Sequence, residues 1–452
     1  MIDATRRRAG LDTFDGLWHS RSLRWIVFFA FVLRAAVAAA GLDRNTISSP
    51  DTLTYVRPAQ SLATVGRFDS YGAPELSRAP GYPILLTLGE LAGAAVPVTL
   101  ALQVVLGTLT VAAVAALALQ MGREARVAAL AAALCAFEPS GIIYTAKLLT
   151  ETPFTTIVTA MLVVLTRWVR GGRTRDLVVG GALLALGSYV RPILYYAPPI
   201  LAALIGLIAW RRHTRGARAL LDALVFLFIA GAPLIAWRAR NMAVAGYDGF
   251  SAITDVNLYD YRAGGVIARR SGRTIYEVQR ELRREIGPDS VFAAGDRAAR
   301  GRERAARYYE MRSRARAILA SDPAAIALDA VAGAARTVFG RDTSEWALLV
   351  GVEEGSVPWQ LIRAVLTFLW LPMVALAVVG LWRGSWDFAV LLPAFLVSVY
   401  LLALSAGPEA YSRFRLAVVP VVCVLAAQGA LETARWVASW RASREPPGPV
   451  AT

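Results

Sequence analysis

Long apolar runs without a charged side chain are the feature that most limits how this chain can fold. Four runs are 18 to 22 residues long, and a helix needs roughly 20 residues to cross the hydrocarbon core of a bilayer. They cover Val98–Leu119, Ile193–Trp210, Val365–Trp382 and Phe388–Pro408. Only 18% of the residues are charged, against roughly 25% in soluble domains. A soluble enzyme, a disordered chain and a disulfide-based scaffold are therefore excluded.

Six shorter or interrupted apolar runs bring the predicted number of spanning helices to about ten. They follow Arg24, Arg126, Glu151, Asp176, Asp222 and Arg415. We therefore predict an all-α, polytopic membrane protein. The sequence contains no internal repeat.

The positions of the arginines predict the orientation. Lys147 is the only lysine, so nearly all of the net charge of +15 comes from arginine. Arginines flank alternate ends of the predicted spans, and cytoplasmic loops carry such an excess. This charge therefore reflects topology and needs no nucleic-acid partner. The arginines are Arg6, Arg7, Arg8, Arg21, Arg24, Arg123, Arg126, Arg167, Arg170, Arg173, Arg175, Arg211, Arg212, Arg215, Arg218, Arg435, Arg441 and Arg444.

This topology predicts two long extracytoplasmic loops and four regions of the chain. Residues 1–237 form a seven-helix module that includes the first outer loop, 42–97. Residues 238–359 form a helical second loop, 360–438 a three-helix membrane segment, and 439–452 a disordered tail. In the first loop we predict a helix from Asp51 to Gly66, and an interfacial or re-entrant segment over 83–98.

The second outer loop carries three helical signals. Thr274–Ile286 and Arg297–Ala320 have a charged, helical pattern, and Asp322-Pro323 is typical of a helix start, with Asp as N-cap and Pro at the first position. We expect the apolar segment that follows, Ile326 to Phe339, to lie along the membrane surface.

Charged residues at the outer membrane face are the candidates for chemistry, because charge near a bilayer is costly. Asp51 and Glu151 are the carboxylates, and either can serve as general base on a sugar hydroxyl. The alternative is that each only stabilises a helix N-terminus. The basic candidates are Arg78, Arg191, Arg238, Arg240, Arg413 and Arg415.

Arg78 lies in a rigid turn, Ser77-Arg-Ala-Pro-Gly-Tyr-Pro83. A guanidinium there suits a phosphate at headgroup depth, because its fork of donors matches phosphate oxygens. Arg191, before Pro192, and the Arg413/Arg415 pair support the same interpretation. The alternative for each is an arginine that reaches lipid headgroups.

Several common sites are missing from the sequence. There is no P-loop frame around Lys147 and no Asp-x-Asp pair, and two cysteines and two histidines are too few for the usual metal sets. We therefore expect a donor that is already in the membrane, a sugar on a lipid phosphate. No cofactor is required, and a divalent metal stays open.

These residues, in this order, resemble the polyprenyl-phosphate-dependent glycosyltransferases of the C-type fold, which include protein mannosyltransferases and lipid A aminoarabinose transferases. The resemblance covers most of residues 20–435. Its motifs are Asp51-Thr-Leu-Thr-Tyr55, Arg78-Ala-Pro-Gly-Tyr-Pro83, Leu149-Thr-Glu151, Val190-Arg-Pro192, Arg240-Asn241 and Ser412-Arg-Phe-Arg-Leu416. The family often has a second acid where this chain has Thr52, and often an Asp where it has Glu151.

The resemblance implies a seven-helix catalytic module and Asp51 as the base, with Glu151 assisting. It implies donor-phosphate and substrate contacts from Tyr55, Arg78, Tyr82, Arg191, Arg240, Asn241, Arg413 and Arg415. The expected protein is an inverting transferase in the bacterial cytoplasmic membrane, with its site on the extracytoplasmic side. It moves a sugar from polyprenyl monophosphate to a hydroxyl of a lipid, glycan or protein. The alternatives are a lipid-linked glycan polymerase or ligase, and a lipid or glycan transporter, which favours internal repeats.

Overall fold

The computed structural model describes residues 20–212, 216–288, 292–293 and 295–444 of the chain. Arg6, Arg7, Arg8 and Arg215 lie outside these residues, as does most of the predicted tail. The first half contains α1 (Arg21–Asp43), α2 (Thr52–Val65), β1 (Asp69–Ser70), β2 (Ala73–Pro74), α3 (Gly81–Leu91), α4 (Ala95–Gln120), α5 (Ala125–Ala136), α6 (Pro139–Ile143), α7 (Glu151–Gly171), α8 (Thr174–Val190), α9 (Ala197–Arg212) and α10 (Gly216–Ala245).

The second half is helical in all of its labelled elements. It contains α11 (Ile253–Val256), α12 (Gly264–Ser271), α13 (Ile275–Ile286), α14 (Arg297–Ala320), α15 (Pro323–Phe339), α16 (Thr343–Val350), α17 (Val357–Arg383), α18 (Phe388–Leu404) and α19 (Val419–Ala442). Short 3₁₀ turns cover Tyr144–Ala146, Pro192–Tyr196 and Ser412–Arg415, and a π-helix covers Asn257–Ala263. Since α19 continues to Ala442, the first residues of the predicted tail are helical.

The predicted all-α membrane architecture is confirmed. Among the described residues, seven helices are long and apolar enough to cross a membrane, or up to nine if each bent pair is one span. The other three predicted spans fall on shorter helices, α5, α8 and α18, of 12 to 17 residues. The predicted third span is broken because Pro139 starts a new helix at a bend of 57°.

The apolar segment after residue 83 forms the short helix α3. Its 11 residues extend about 16 Å, about half the thickness of the hydrocarbon core. Gly89 allows the chain to reverse tightly into α4, because a Cβ there would lie 2.6 Å from the carbonyl oxygen of Ala95. Too short to span, α3 is consistent with the predicted interfacial or re-entrant segment.

The helices that the sequence predicts in the outer loops begin and end within a residue of the predicted positions, and the second loop contains further helices that were not predicted, α11, α12 and α16. In the first loop, α2 ends at Gly66, whose φ of 65° is left-handed. In the second loop, Thr274 and Glu277 form a capping box at the start of α13. The side chain of Asp322 accepts a hydrogen bond from the backbone N–H of Ala325, before a bend of 100° between α14 and α15.

Candidate active site

Asp51 lies at the residue before α2, but its side chain does not cap that helix. Its Oδ1 accepts a hydrogen bond from Nη2 of Arg78 at 3.0 Å, and its Oδ2 accepts one from Nη2 of Arg413 at 2.9 Å. The interpretation of Asp51 as only a helix cap is therefore wrong. The carboxylate instead joins two guanidiniums from distant parts of the chain.

The Arg78 side chain is held by Tyr55, and its backbone lies in a turn that Glu75 fixes. Its Nη1 donates to the hydroxyl of Tyr55 at 3.0 Å, and its guanidinium stacks 4.5 Å from the centre of that ring. Oε1 of Glu75 accepts hydrogen bonds from the backbone N–H groups of Ser77 and Arg78. Glu75, which our sequence analysis missed, thus fixes the turn that presents Arg78.

Tyr82 packs against the uncharged part of this cluster, the ring of Tyr55. Its ring packs edge-on against Tyr55 with centroids 5.2 Å apart, and its hydroxyl donates to Gln103. Burial above all raises the pKa of Tyr82, and nearby Tyr55 and Glu151 add to the effect. Tyr82 therefore stays a neutral donor that orients Tyr55.

Glu151 begins α7 and is almost fully buried, with 2% of its surface exposed. Its Oε1 lies 3.4 Å from Nη1 of Arg191 and 3.6 Å from Nε of Arg413. Its Oε2 is buried and has no hydrogen-bond partner among the residues that the structure describes. An unmet carboxylate oxygen in such a place is costly, so it is a group that a bound hydroxyl would satisfy.

Gly81 lets the Arg78 turn approach Arg191. A Cβ on Gly81 would lie 2.8 Å from the carbonyl of Tyr189, so only glycine allows the Arg78 turn to touch the chain just before Arg191. The guanidinium of Arg191 sits between two rings, 5.5 Å from the centre of Phe154 and 5.2 Å from that of Phe414. Such stacking orients the guanidinium without consuming its N–H donors.

The charges of this cluster act on one another. Burial alone would raise the pKa of Asp51, but the charges of Arg78 and Arg413 and their hydrogen bonds outweigh burial and lower it. Burial would lower the pKa of Arg413, but Glu151 and Asp51 outweigh it in turn and raise it. Asp51 and Arg413 are therefore charged, and each stabilises the charge of the other.

Asp342, a second residue that the sequence analysis missed, seats the segment that carries Arg413. This buried carboxylate accepts three hydrogen bonds from hydroxyls, at 2.6 Å from Ser140, 2.9 Å from Tyr144 and 2.6 Å from Ser412. Ser412 immediately precedes Arg413. The end of the second outer loop therefore fixes Arg413 relative to the membrane helices.

Four of the predicted basic and amide residues bind backbone outside the cluster. Arg240 donates to the carbonyls of Phe68 and Glu75, and Asn241 donates to those of Gly249 and Phe250. Arg415 donates to the carbonyls of Thr337 and Gly340, behind the site. These contacts shape the loops around the cluster, and Arg238 is similarly used on the carbonyl of Asp248.

The π-helix of the second outer loop carries Tyr261. Burial raises the pKa of Tyr261, and the charges of Arg283, Asp51 and Arg413 also act on it. π-Helical turns are rare and frequent at functional sites. In the described part of the chain, no three His, Cys, Asp or Glu side chains group as metal ligands would.

One sequence family and several solved structures match the chain. The family described as dolichyl-phosphate-mannose-protein mannosyltransferase matches residues 77–237, a range that includes Arg78, Glu151 and Arg191. No curated protein sequence matches the chain.

The structural matches include the oligosaccharyltransferase of Archaeoglobus fulgidus. Its apo form gives a TM-score of 0.53 at 13% identity, over 96% of this chain and 53% of that chain. The same archaeal enzyme, AglB, in complex with an inhibitory peptide and a dolichol-phosphate gives 0.52 at 15% identity, over 97% and 53%. ArnT from Cupriavidus metallidurans in the apo state gives 0.38 at 14% identity, over 95% and 82%.

The chain spans about half the length of the oligosaccharyltransferases that it matches. At these identities the likeness concerns the fold, and it agrees with the fold that the sequence motifs implied. The chain therefore has the membrane-embedded C-type glycosyltransferase fold, and over residues 77–237 it is similar in sequence to a mannosyltransferase family.

Proposed function

We propose that the protein transfers a sugar from a polyprenyl monophosphate to a hydroxyl group of an acceptor, with inversion at the anomeric carbon. The observation that carries this proposal is the meeting of three guanidiniums with two carboxylates in one cluster: Arg78, Arg191 and Arg413 with Asp51 and Glu151. Arginines bind phosphate oxygens with a matching fork of donors, and a carboxylate removes a hydroxyl proton.

Asp51 is the general base in this proposal. Both of its oxygens accept hydrogen bonds from arginines, which lowers its pKa and makes it a weak base. The donor phosphate attracts the same arginines. Once they turn to the phosphate, burial dominates the environment of Asp51 and its pKa rises. Binding of the donor therefore prepares the base.

Arg78, Arg191 and Arg413 stabilise the departing phosphate. The acceptor oxygen forms a bond to the anomeric carbon while the bond from that carbon to the phosphate oxygen breaks, and the proton of the acceptor hydroxyl passes to Asp51. The phosphate gains negative charge as it leaves, so fixed guanidiniums favour the transition state over the bound donor. Arg78 and Arg191 are oriented for this by Tyr55, Phe154 and Phe414.

Glu151 positions the acceptor. Its Oε1 faces two arginines, whereas its buried Oε2 has no partner among the described residues. A hydroxyl of the acceptor that donates to Oε2 would remove this unmet acceptor and fix the sugar or side chain beside Asp51. The second outer loop, which carries Tyr261, then selects which acceptor enters.

The site is proposed to face the extracytoplasmic side of the bacterial cytoplasmic membrane, since the arginine pattern puts both long loops there. Donor and acceptor would then both be reached from outside or from the outer leaflet. Lipid, glycan and protein acceptors all present the hydroxyl that this chemistry requires.

The test uses purified protein in sealed proteoliposomes with a panel of sugars linked to polyprenyl phosphate, in which water takes the sugar when no other hydroxyl acceptor is added. We expect free polyprenyl phosphate to be released from at least one donor, and to be released far more slowly by Asp51→Asn. Asp43→Asn is the matched control, because Asp43 is an exposed carboxylate at the end of α1. Movement of an intact donor across the bilayer, without release of polyprenyl phosphate, would overturn the proposal in favour of a transporter.

A further inference from the structure

A basic groove lies on the outer loops, outside the cluster described above. Its volume is about 390 Å³, and it is lined by α2, by the β1–β2 hairpin and by the start of α14. The lining includes Arg57, Gln60, Ser61, Arg67, Tyr71 and Arg297. Arg57 is six residues beyond Asp51, or about 9 Å along the helix. The groove is thus near the proposed site but shares no residue with it.

Tyr71 occupies a backbone position that does not suit tyrosine. Ser70 pairs with Ala73, so Tyr71 and Gly72 form a two-residue hairpin turn. Their φ angles are 52° and 73°, the left-handed pair of a type I′ turn, in which Asn-Gly is preferred. A bulky side chain there is strained, and a strained residue that persists is a reason to look for function.

The ring of Tyr71 forms one wall of the groove and is open to solvent. It is 43% exposed, and the guanidinium of Arg57 stacks 4.0 Å from its centre. An exposed aromatic face with an arginine beside it binds flat, partly apolar rings and their polar substituents. The strained turn therefore exposes the face of the Tyr71 ring as a stacking platform for a ligand. An asparagine in the same turn would provide no such ring.

The arginines of the groove are only partly neutralised. Arg297 binds both oxygens of Asp69, at 2.6 and 2.5 Å. Within the described ranges no acid pairs with Arg57 or Arg67, and Nε of Arg57 is buried without a hydrogen-bond partner. Three arginines against one aspartate leave an excess of positive charge in a concave site. A ligand with a negative group would use the free donors.

We propose that this groove binds an acidic saccharide, one that carries carboxylate or phosphate groups. The sugar ring stacks on Tyr71, its anionic group binds Arg57 and Arg67, and Gln60 and Ser61 meet its hydroxyls. A lipid headgroup would use the same charges, but it needs neither a concave site nor an aromatic platform. The further role as the acceptor site rests on the proposed function, since the acceptor would then extend from the groove towards Asp51.

Tyr71→Asn separates a binding role from a structural one. Asparagine suits the type I′ turn, so the variant should melt at the same temperature as wild type or higher, while it loses the platform. The probe is tetragalacturonic acid, titrated onto the full chain in nanodiscs of zwitterionic lipid. We expect at least tenfold weaker binding in Tyr71→Asn and in Arg57→Gln, and no change in Arg284→Gln, an exposed arginine on α13.

Three outcomes would overturn the proposal. The first is that the neutral maltotetraose binds as tightly as tetragalacturonic acid, because the groove arginines would then contribute nothing through their charge. The second is a Tyr71→Asn protein that binds the probe like wild type, whatever its melting temperature. The third is loss of probe binding when anionic lipid is added to the nanodiscs. Anionic lipid would then occupy the groove, which would be a headgroup site. Binding of polyprenyl phosphate should be unchanged in every groove variant, so a failure here is distinct from a failure of the proposed transferase.

Discussion

Asp51→Asn should change donor binding and turnover in opposite directions. Asp51 holds Arg78 and Arg413 at 3.0 and 2.9 Å, and a phosphate that binds these arginines must draw them away. The three side chains are 13% to 33% exposed, so each contact is discounted to about 1 kcal/mol for solvent screening. Removing one or both contacts should therefore make polyprenyl phosphate bind about 5- to 30-fold more tightly.

Turnover should fall in the same variant, by about 10²–10⁴-fold, because the base is lost. The assay pairs calorimetric titration of polyprenyl phosphate with single-turnover release of polyprenyl phosphate from the active donor, with Asp43→Asn as control. Weaker binding in Asp51→Asn would refute the idea that the carboxylate restrains the arginines. Near wild-type release would refute its role as base.

The remaining predictions concern the arginine clamp, its support and the orientation of the loops. Arg78→Lys should slow the release of polyprenyl phosphate by at least about tenfold, since lysine cannot contact Tyr55 and a phosphate with one planar fork. Arg24→Lys, near the start of α1, is the control and should leave release unchanged. Equal activity of the two variants would make Arg78 a lipid anchor. Ser412→Ala should weaken polyprenyl phosphate binding about tenfold, because the hydrogen bond to Asp342 that positions Arg413 is lost. Ser140→Ala should lower the melting temperature and leave that binding unchanged. The reverse pattern would contradict the role of Asp342 in positioning Arg413. Ser271→Cys, exposed in the second loop, should react with a membrane-impermeant reagent as fully in intact cells as in permeabilised ones; protection in intact cells would invert the orientation.

Local signals in the sequence predicted most of the helices. Charge-free runs of spanning length marked the membrane helices, and Gly66, Thr274 and Asp322 marked helix ends in the loops. These features act over a few residues, so the sequence around each one is sufficient. The broken third span also had a local signal, Glu138-Pro139, since Pro at the first position and an acid before it start a helix.

The geometry of the site could not be predicted from local patterns. Asp51 and Arg413 are 362 positions apart, and no periodicity relates them; the family resemblance alone placed them in one site. The same limit applies to Asp342, which looks like a cap before α16 but makes no side-chain cap. Its three hydroxyl partners come from two other parts of the chain, and only the packed fold brings them together.

Resemblance also assigned too many residues to one place. Arg240, Asn241 and Arg415 lie in matching motifs, yet their side chains satisfy backbone carbonyls of the loops. A buried carbonyl needs a donor, and a long guanidinium can meet several at once. A motif therefore identifies residues that matter to the site without separating those that bind substrate from those that shape it.

The charges of the cluster suit a reaction that moves a proton and a phosphate charge together. Counted by formal charge, the three arginines and the two carboxylates that pair with them add up to +1. A sugar on polyprenyl phosphate is a phosphodiester with one negative charge, so the occupied site is neutral. In the proposed reaction, the phosphate becomes a monoester with a charge of about −2 when the sugar leaves, and Asp51 takes up the proton of the acceptor. The site is neutral again. Uncompensated charge at a membrane face is costly, so proton transfer to Asp51 and departure of the phosphate favour each other. A change that prevents either step should therefore also slow the other.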